Sequence, residues 1–257
     1  MMENKYSGVI FDYGGTLDTR GDHWSEVMWD SYLHEQVSVD KLSFRAAYVY
    51  AERALAVNPV VKADFHFVDI LRVKLRLQLA FLCGRPLLPT GKDDAEKQQR
   101  LHTFLTLTDH GIEAQAERMA NRINAITNAL LKENRSVLQH IREKGLPMVL
   151  VSNFYGNIST VLRDAAIDGY FRKVIESAVV GVRKPNPAIF ALGVCALDVP
   201  ASKVLVVGDS FTKDIVPAKT LGCHAVWIKG RQWEEMPCND SICDAVVTRL
   251  ADIKNLL

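Results

Sequence analysis

A chain of 257 residues, 48% hydrophobic and 24% charged, has enough apolar material for a sizeable core and the balance of a globular protein in water. Its formal net charge of +1 supplies no footprint for nucleic acid or an anionic membrane, so neither is expected as a partner. No apolar run reaches bilayer length and the opening MMENKYSG lacks a signal-like apolar core, which leads to the expectation of a cytoplasmic protein.

The first element is a short strand, Val9 to Phe11, too brief for a helix; Asp12 follows it directly, then the turn-forming pair Gly14-Gly15. Between about Asp22 and Leu131 there is no convincing strand, only helical patterns, broken at Arg85-Pro86-Leu87-Leu88-Pro89-Thr90-Gly91. Helices are expected at Trp24–Gln36, with Asp22 as a candidate cap, at Ser43–Val57, stopped by Asn58-Pro59, and at Asp64–Cys83, stopped by Gly84. Two more are expected at Asp93–Asp109 and Glu113–Leu131. The apolar stripe Phe65, Phe67, Val68, Ile70, Leu71 and Leu75 reads as the core of this helical region.

From Ser136 onward, helix and strand alternate. Helices are expected at Ser136–Lys144, Ile158–Ala166, Pro187–Leu197 and Thr212–Leu221. Strands are expected at Met148–Val151, Lys173–Ile175, Val204–Val207, His224–Ile228 and Ala245–Val247. Such alternation predicts an α/β fold, a Rossmann-like doubly wound parallel sheet, with the helices of residues 19–131 inserted as a separate all-α cap domain. The core domain would then comprise residues 1–18 and 132–257. The five cysteines (Cys83, Cys195, Cys223, Cys238, Cys243) are scattered without zinc-ligand spacing and read as reduced thiols.

Three of these strands end in polar residues: Asp12, Ser152-Asn153, and Gly208-Asp209. If the strands are neighbours, their carboxyl ends share one crevice, where open α/β sheets bind ligands. Facing carboxylates repel unless a cation intervenes. A hard divalent ion such as Mg²⁺ between Asp12, Asp209 and Asp214 resolves this, whereas Asp209 and Ser210 acting only as helix caps is the structural alternative.

The order of these motifs resembles that of the haloacid dehalogenase superfamily, most of whose members are phosphatases acting through an aspartyl-phosphate. Phe11 to Leu17 (FDYGGTL) is similar to its first motif, D-x-D-G-T-L. The stretch ending at Ser152-Asn153 matches the second, Lys184-Pro185 the third, and Gly208 to Asp214 the fourth. The helical insert resembles the family's type 1 cap.

The resemblance implies roles. Asp12 would be the nucleophile and Lys184 would offset charge. Thr16, Ser152 and Asn153 would bind the phosphoryl group. Mg²⁺ would be held by Asp12, the Gly14 carbonyl, Asp209 and Asp214. A small phosphorylated metabolite is the implied substrate, for a monomer or homodimer.

One position departs from the family pattern. The second Asp of the first motif, which protonates the leaving oxygen and later activates water, is Gly14 here. Three readings follow. The first is a phosphatase using another acid, with Asp18, Asp22, His23 or a cap residue as candidates. The second is a phosphonatase-like or 2-haloacid dehalogenase-like hydrolase, whose chemistry does not call on that Asp. The third is a weakly active or non-catalytic binding protein on the same fold. Retention of Asp209 and Asp214 weighs against the metal-independent dehalogenases. A phosphonatase would need a cap lysine, for which Lys41, Lys62 and Lys74 are candidates. Arg45, Tyr48 and Arg53, on one expected helix, are candidate substrate contacts or a solvent-facing polar stripe.

Overall fold

The computed structural model describes residues 5–88, 109–233 and 238–257. The helix expected at Asp93–Asp109 lies, but for its last residue, outside them. The chain divides into two compact units, Met1–Glu26 with Thr127–Leu257, and Val27–Ile126. Among the described residues, no helix is long and apolar enough to cross a membrane.

The first unit is built on six strands: β1 (Gly8–Phe11), β2 (Met148–Ser152), β3 (Phe171–Glu176), β4 (Val204–Gly208), β5 (His224–Ile228) and β6 (Ala245–Val247). They form one sheet in the order β3-β2-β1-β4-β5-β6, with every neighbouring pair parallel. β1, β2 and β4 are buried along their whole length, as parallel strands linked by crossover helices must be. Ile10, Val151, Val206, Phe190, Ala218 and Trp227 share one apolar cluster. This is the expected Rossmann-like architecture.

The order makes β1 the centre of the site. From it the chain proceeds through β2 and β3 on one side and β4 to β6 on the other, so the topological switch lies between β1 and β4. Phe11 is level with both Leu150 and Val207. Because all three strands run the same way, the residues just beyond these partners emerge together at one edge.

Two helical expectations are corrected. The separate helices at Glu113–Leu131 and Ser136–Lys144 are one 34-residue helix, His110–Glu143. The intervening Lys132-Glu133-Asn134-Arg135 contains no Gly or Pro, and its polarity reflects a mixed environment, not a break. Asn134 is buried and donates to the Leu17 carbonyl at 2.9 Å. The expected helix at Thr212–Leu221 opens as a wide π turn, Phe211–Ile215, and only then becomes α-helical over Val216–Thr220. Such turns concentrate at functional sites.

The second unit is helical among its described residues. Helix Lys41–Val57 starts where Asp40 accepts from the Ser43 N–H at 2.9 Å. Helix Phe67–Leu82 begins three residues later than Asp64, because Asp69 reaches back to the His66 N–H at 2.9 Å. Phe67, Ile70, Leu71 and Leu75 are buried, while Phe65 and Val68 are half-buried. Phe44 packs against Trp29 and Tyr32, with ring centroids 5.1 and 4.9 Å apart. Tyr50 fastens the segment beyond the helix, donating to the Leu88 carbonyl at 2.9 Å and accepting its N–H at 2.8 Å. Tyr48 is buried in this core and Arg53 is exposed. Of the three lysines named above, Lys74 is buried against Glu52 at 2.6 Å and Lys62 is exposed.

Candidate active site

β1 delivers Asp12 to the sheet edge, where its backbone N–H continues the ladder to the Val207 carbonyl at 3.0 Å. The chain then turns. Gly15 has φ +102°, and a Cβ there would lie 2.3 Å from the Asp209 carboxyl. Glycine at 15 is therefore required twice, by its left-handed backbone and by the approach of Asp209. The Gly15 carbonyl accepts from the Thr19 hydroxyl at 2.6 Å and the Gly21 N–H at 2.9 Å, which closes the loop on itself. Gly15→Ala is expected to displace Asp209 and to lower both stability and divalent-cation affinity. The check is a calorimetric Mg²⁺ titration beside a thermal melt, with Gly14→Ala as the control that should bind normally.

Asp12, Asp209 and Asp214 each offer a carboxylate oxygen, and these oxygens lie within 4.8 Å of one another, all on buried residues. Thr16 donates toward Asp12 at 3.1 Å and toward Asp209 at 3.4 Å. Asp209 is steadied through its backbone, whose carbonyl accepts the Trp227 indole N–H at 2.7 Å. Asp214 arrives on the π turn. Its carboxylate accepts the Ser210 N–H at 3.0 Å, and the extra residue in the turn carries the side chain toward Lys184.

Lys184 sits between two of these acids. Its ammonium pairs with Asp12 and, at 2.7 Å, with Asp214, and all three side chains are at most 5% exposed. Asn153 positions the lysine. Its amide oxygen accepts the Lys184 N–H at 2.9 Å and its amide nitrogen donates to the Lys184 carbonyl at 3.0 Å. Both polar ends of a side chain read from sequence as a phosphate contact are thus engaged with the Lys184 backbone. Ser152 is buried at the end of β2. The loop after it is held by Glu176, which accepts the Gly156 N–H at 2.6 Å and whose carboxyl burial pushes upward.

The electrostatics describe a site short of positive charge. Burial pushes the Asp12 carboxyl up to about 6, with Lys184 opposing and Asp214 assisting. Burial and the neighbouring Asp12 and Asp214 push Asp209 well above the ordinary carboxylate range. Burial disfavours the Lys184 ammonium, but Asp12 and Asp214 outweigh it and raise the group. Three buried acidic groups thus share one buried cation. The donors are hard oxygens, few in number and closely spaced, which fits a small divalent ion such as Mg²⁺ completed by waters or a phosphate oxygen.

The three downstream acid candidates separate clearly. The Asp22 carboxylate is engaged by Arg231, at 2.7 Å from its N–H and 2.9 and 2.6 Å from its guanidinium. His23 faces the Ser25 hydroxyl at 2.8 Å and the Trp233 ring. Asp18 is buried, accepting the Gly15 N–H at 2.7 Å and the Trp24 indole N–H at 3.2 Å. Trp24 and Trp227 carried no signal in the sequence; their relevance needs the tertiary contacts.

Comparison with known proteins agrees with this picture. A family model described as haloacid dehalogenase-like hydrolase matches residues 6–222. The chain is 38% identical over 97 residues to glyceraldehyde 3-phosphate phosphatase of Pyrococcus abyssi, covering 37% of this chain and 40% of that one. It is 32% identical over 100 residues to phosphoserine phosphatase of Thermus thermophilus, covering 38% and 40%. These alignments span about two fifths of the curated relatives' length. A HAD phosphatase from Thermococcus onnurineus superposes with a TM-score of 0.51 at 20% identity, over 97% of each chain, which is a likeness of fold.

Proposed function

This chain belongs to the haloacid dehalogenase-like hydrolase family, and from that premise we propose that it is a Mg²⁺-dependent phosphatase of small phosphorylated metabolites. The observation that carries the reading is the buried cluster of Asp12, Asp209 and Asp214 around the single ammonium of Lys184. An anion-binding site without metal would not gather three acids. A dehalogenase that uses no metal has no need of the second and third.

In this mechanism an Asp12 oxygen attacks phosphorus and forms an aspartyl-phosphate while the ester oxygen departs. The Asp12 carboxyl, pushed up to about 6, is largely ionised at neutral pH and so available as a nucleophile. Lys184 balances charge on Asp12 and on the transferring group, held in register by the Asn153 clamp. The Thr16 and Ser152 hydroxyls would donate to phosphoryl oxygens. Asp12, Asp209, Asp214 and the Gly14 carbonyl would hold Mg²⁺, which when bound supplies positive charge for the phosphoryl oxygens. Phosphoryl transfer depends on this kind of positioning and charge neutralisation more than on elaborate covalent chemistry, and a buried site strengthens both. The helical unit, Val27–Ile126, is assigned the substrate-selecting part of a cap.

The test is release of inorganic phosphate from a panel of small phosphomonoesters. Turnover is expected with Mg²⁺ and is expected to vanish with EDTA. Tight Mg²⁺ and phosphate binding without turnover of any ester would replace this reading with that of a binding protein on the same fold.

A further inference from the structure

Position 14 has no side chain, yet the backbone there does not demand glycine. Its φ lies outside the left-handed region, and a Cβ would meet, within 4 Å, only the Trp24 indole, at 3.6 Å from Nε1 and 3.7 Å from Cδ1. Those are ordinary contacts. The space that a side chain at 14 would enter is therefore bordered by an indole N–H, and that N–H points to a carboxyl: Trp24 Nε1 donates to Asp18 Oδ2 at 3.2 Å. The other oxygen, Asp18 Oδ1, accepts the Gly15 N–H at 2.7 Å, so the carboxyl is fixed at one end to the loop that follows the nucleophile and at the other to the first residue of the helix Trp24–His34. It is 2% exposed and forms no ion pair among the described residues, unlike Asp22 with its arginine.

Resting on the phosphatase reading above, we propose that Asp18, oriented by Trp24 and the Gly15 N–H, is the general acid and base of the reaction in place of a side chain at position 14. Burial, opposed by the Gly15 and Trp24 N–H groups and assisted by Asp12, pushes the Asp18 carboxyl up to about 8, so it is predominantly protonated at neutral pH, as a proton donor must be.

In the first step an Asp12 oxygen bonds to phosphorus and the bond from phosphorus to the ester oxygen breaks. The Asp18 proton passes to that oxygen, which leaves as an alcohol. In the second step the Asp18 carboxylate takes a proton from a water whose oxygen bonds to phosphorus. The bond from phosphorus to Asp12 breaks, and phosphate leaves with Asp18 protonated again.

The experiment compares an alkyl phosphomonoester with p-nitrophenyl phosphate, whose leaving group departs without a proton. Asp18→Asn is expected to lower kcat/KM, which reads only the first step, by about 10²- to 10⁴-fold for the alkyl ester and far less for the nitrophenyl ester, while the shared second step lowers kcat for both. The double variant Gly14→Asp with Asp18→Asn is expected to recover part of the alkyl activity. If Asp18→Asn does not fold, Asp18→Glu gives the same reading, because a longer carboxyl misplaces the proton and selectively impairs the alkyl ester. An unchanged alkyl-to-aryl ratio of kcat/KM in the folded variant overturns the assignment, since a merely structural loss would lower both values together. A wild-type protein inert toward both esters instead sinks the phosphatase reading itself, and the role of Asp18 with it.

Discussion

Asp12→Asn is expected to abolish turnover, by at least about 10⁴-fold as for other nucleophiles of covalent catalysis, while leaving the metal-free protein as stable as the wild type or more so. The stability half follows from burial. The folded Asp12 carboxyl is pushed from an ordinary value of 3.8 up to about 6. A group raised in this way contributes stability that is fully present below its unfolded value and is lost as pH rises through its folded one. Above about pH 6 that contribution has gone, and the folded protein carries the cost of an ionised, buried carboxyl. The amide of asparagine has the same shape and no charge, so it removes that cost. Thermal melts in EDTA at pH 5 and pH 7.5 measure it. The variant's advantage should appear at the higher pH and shrink at the lower. Turnover surviving in Asp12→Asn would remove the nucleophile from the proposed mechanism, and a large loss of stability at pH 7.5 would contradict the electrostatic account of the site.

Lys184→Met carries the second large effect, and it acts in the opposite sense on stability. Lys184 is the cation paired with both Asp12 and Asp214. Removing one partner from a buried ion pair typically costs about 3–5 kcal/mol, because the charges left behind have lost both water and counterion. Here two acids are left, with Asp209 close by. Denaturation in EDTA should show a drop in stability of that order. Mg²⁺ should restore more stability to this variant than to the wild type, because binding only to the folded state stabilises it and the uncompensated acids bind a cation more tightly. Turnover should remain about 10²- to 10³-fold below wild type even at saturating Mg²⁺, the loss typical for one preorganised charge-stabilising group. A variant with wild-type stability in EDTA would mean that the buried ammonium is not what holds these acids together.

How much was legible in the sequence follows from how far apart the interacting residues lie. The strands announce themselves locally, as short apolar runs bounded by turns, and all six form where the pattern places them, with edges moved by one or two residues. The motif residues are legible for a similar reason: each sits at the end of such a run, and strand alternation with helices already implies a parallel sheet whose carboxyl ends face one way. What the sequence by itself determined, then, is the fold class and the identity of the polar residues brought to one edge.

Four matters were left to the tertiary structure. The helical pattern on both sides of Asn134 reads as two helices because nothing local reveals that a polar side chain is bound to the Leu17 carbonyl from 117 positions away. The π turn at Phe211–Ile215 brings Asp214 to Ser210 and Lys184, and the lysine lies 30 positions away, beyond the reach of any local pattern. That the Asn153 side chain clasps the Lys184 backbone is invisible until the course of the Lys184 segment is known. Asp18, Asp22 and His23 are equivalent in sequence, all a few residues beyond the nucleophile. Only packing sends one to an arginine, one to a serine, and one, buried, to the Gly15 N–H and the Trp24 indole. Periodicity and turn chemistry act over a few neighbouring residues and are written in the order of amino acids. The environment of a carboxyl is made by residues scattered along the whole chain, and it exists only once they have folded together.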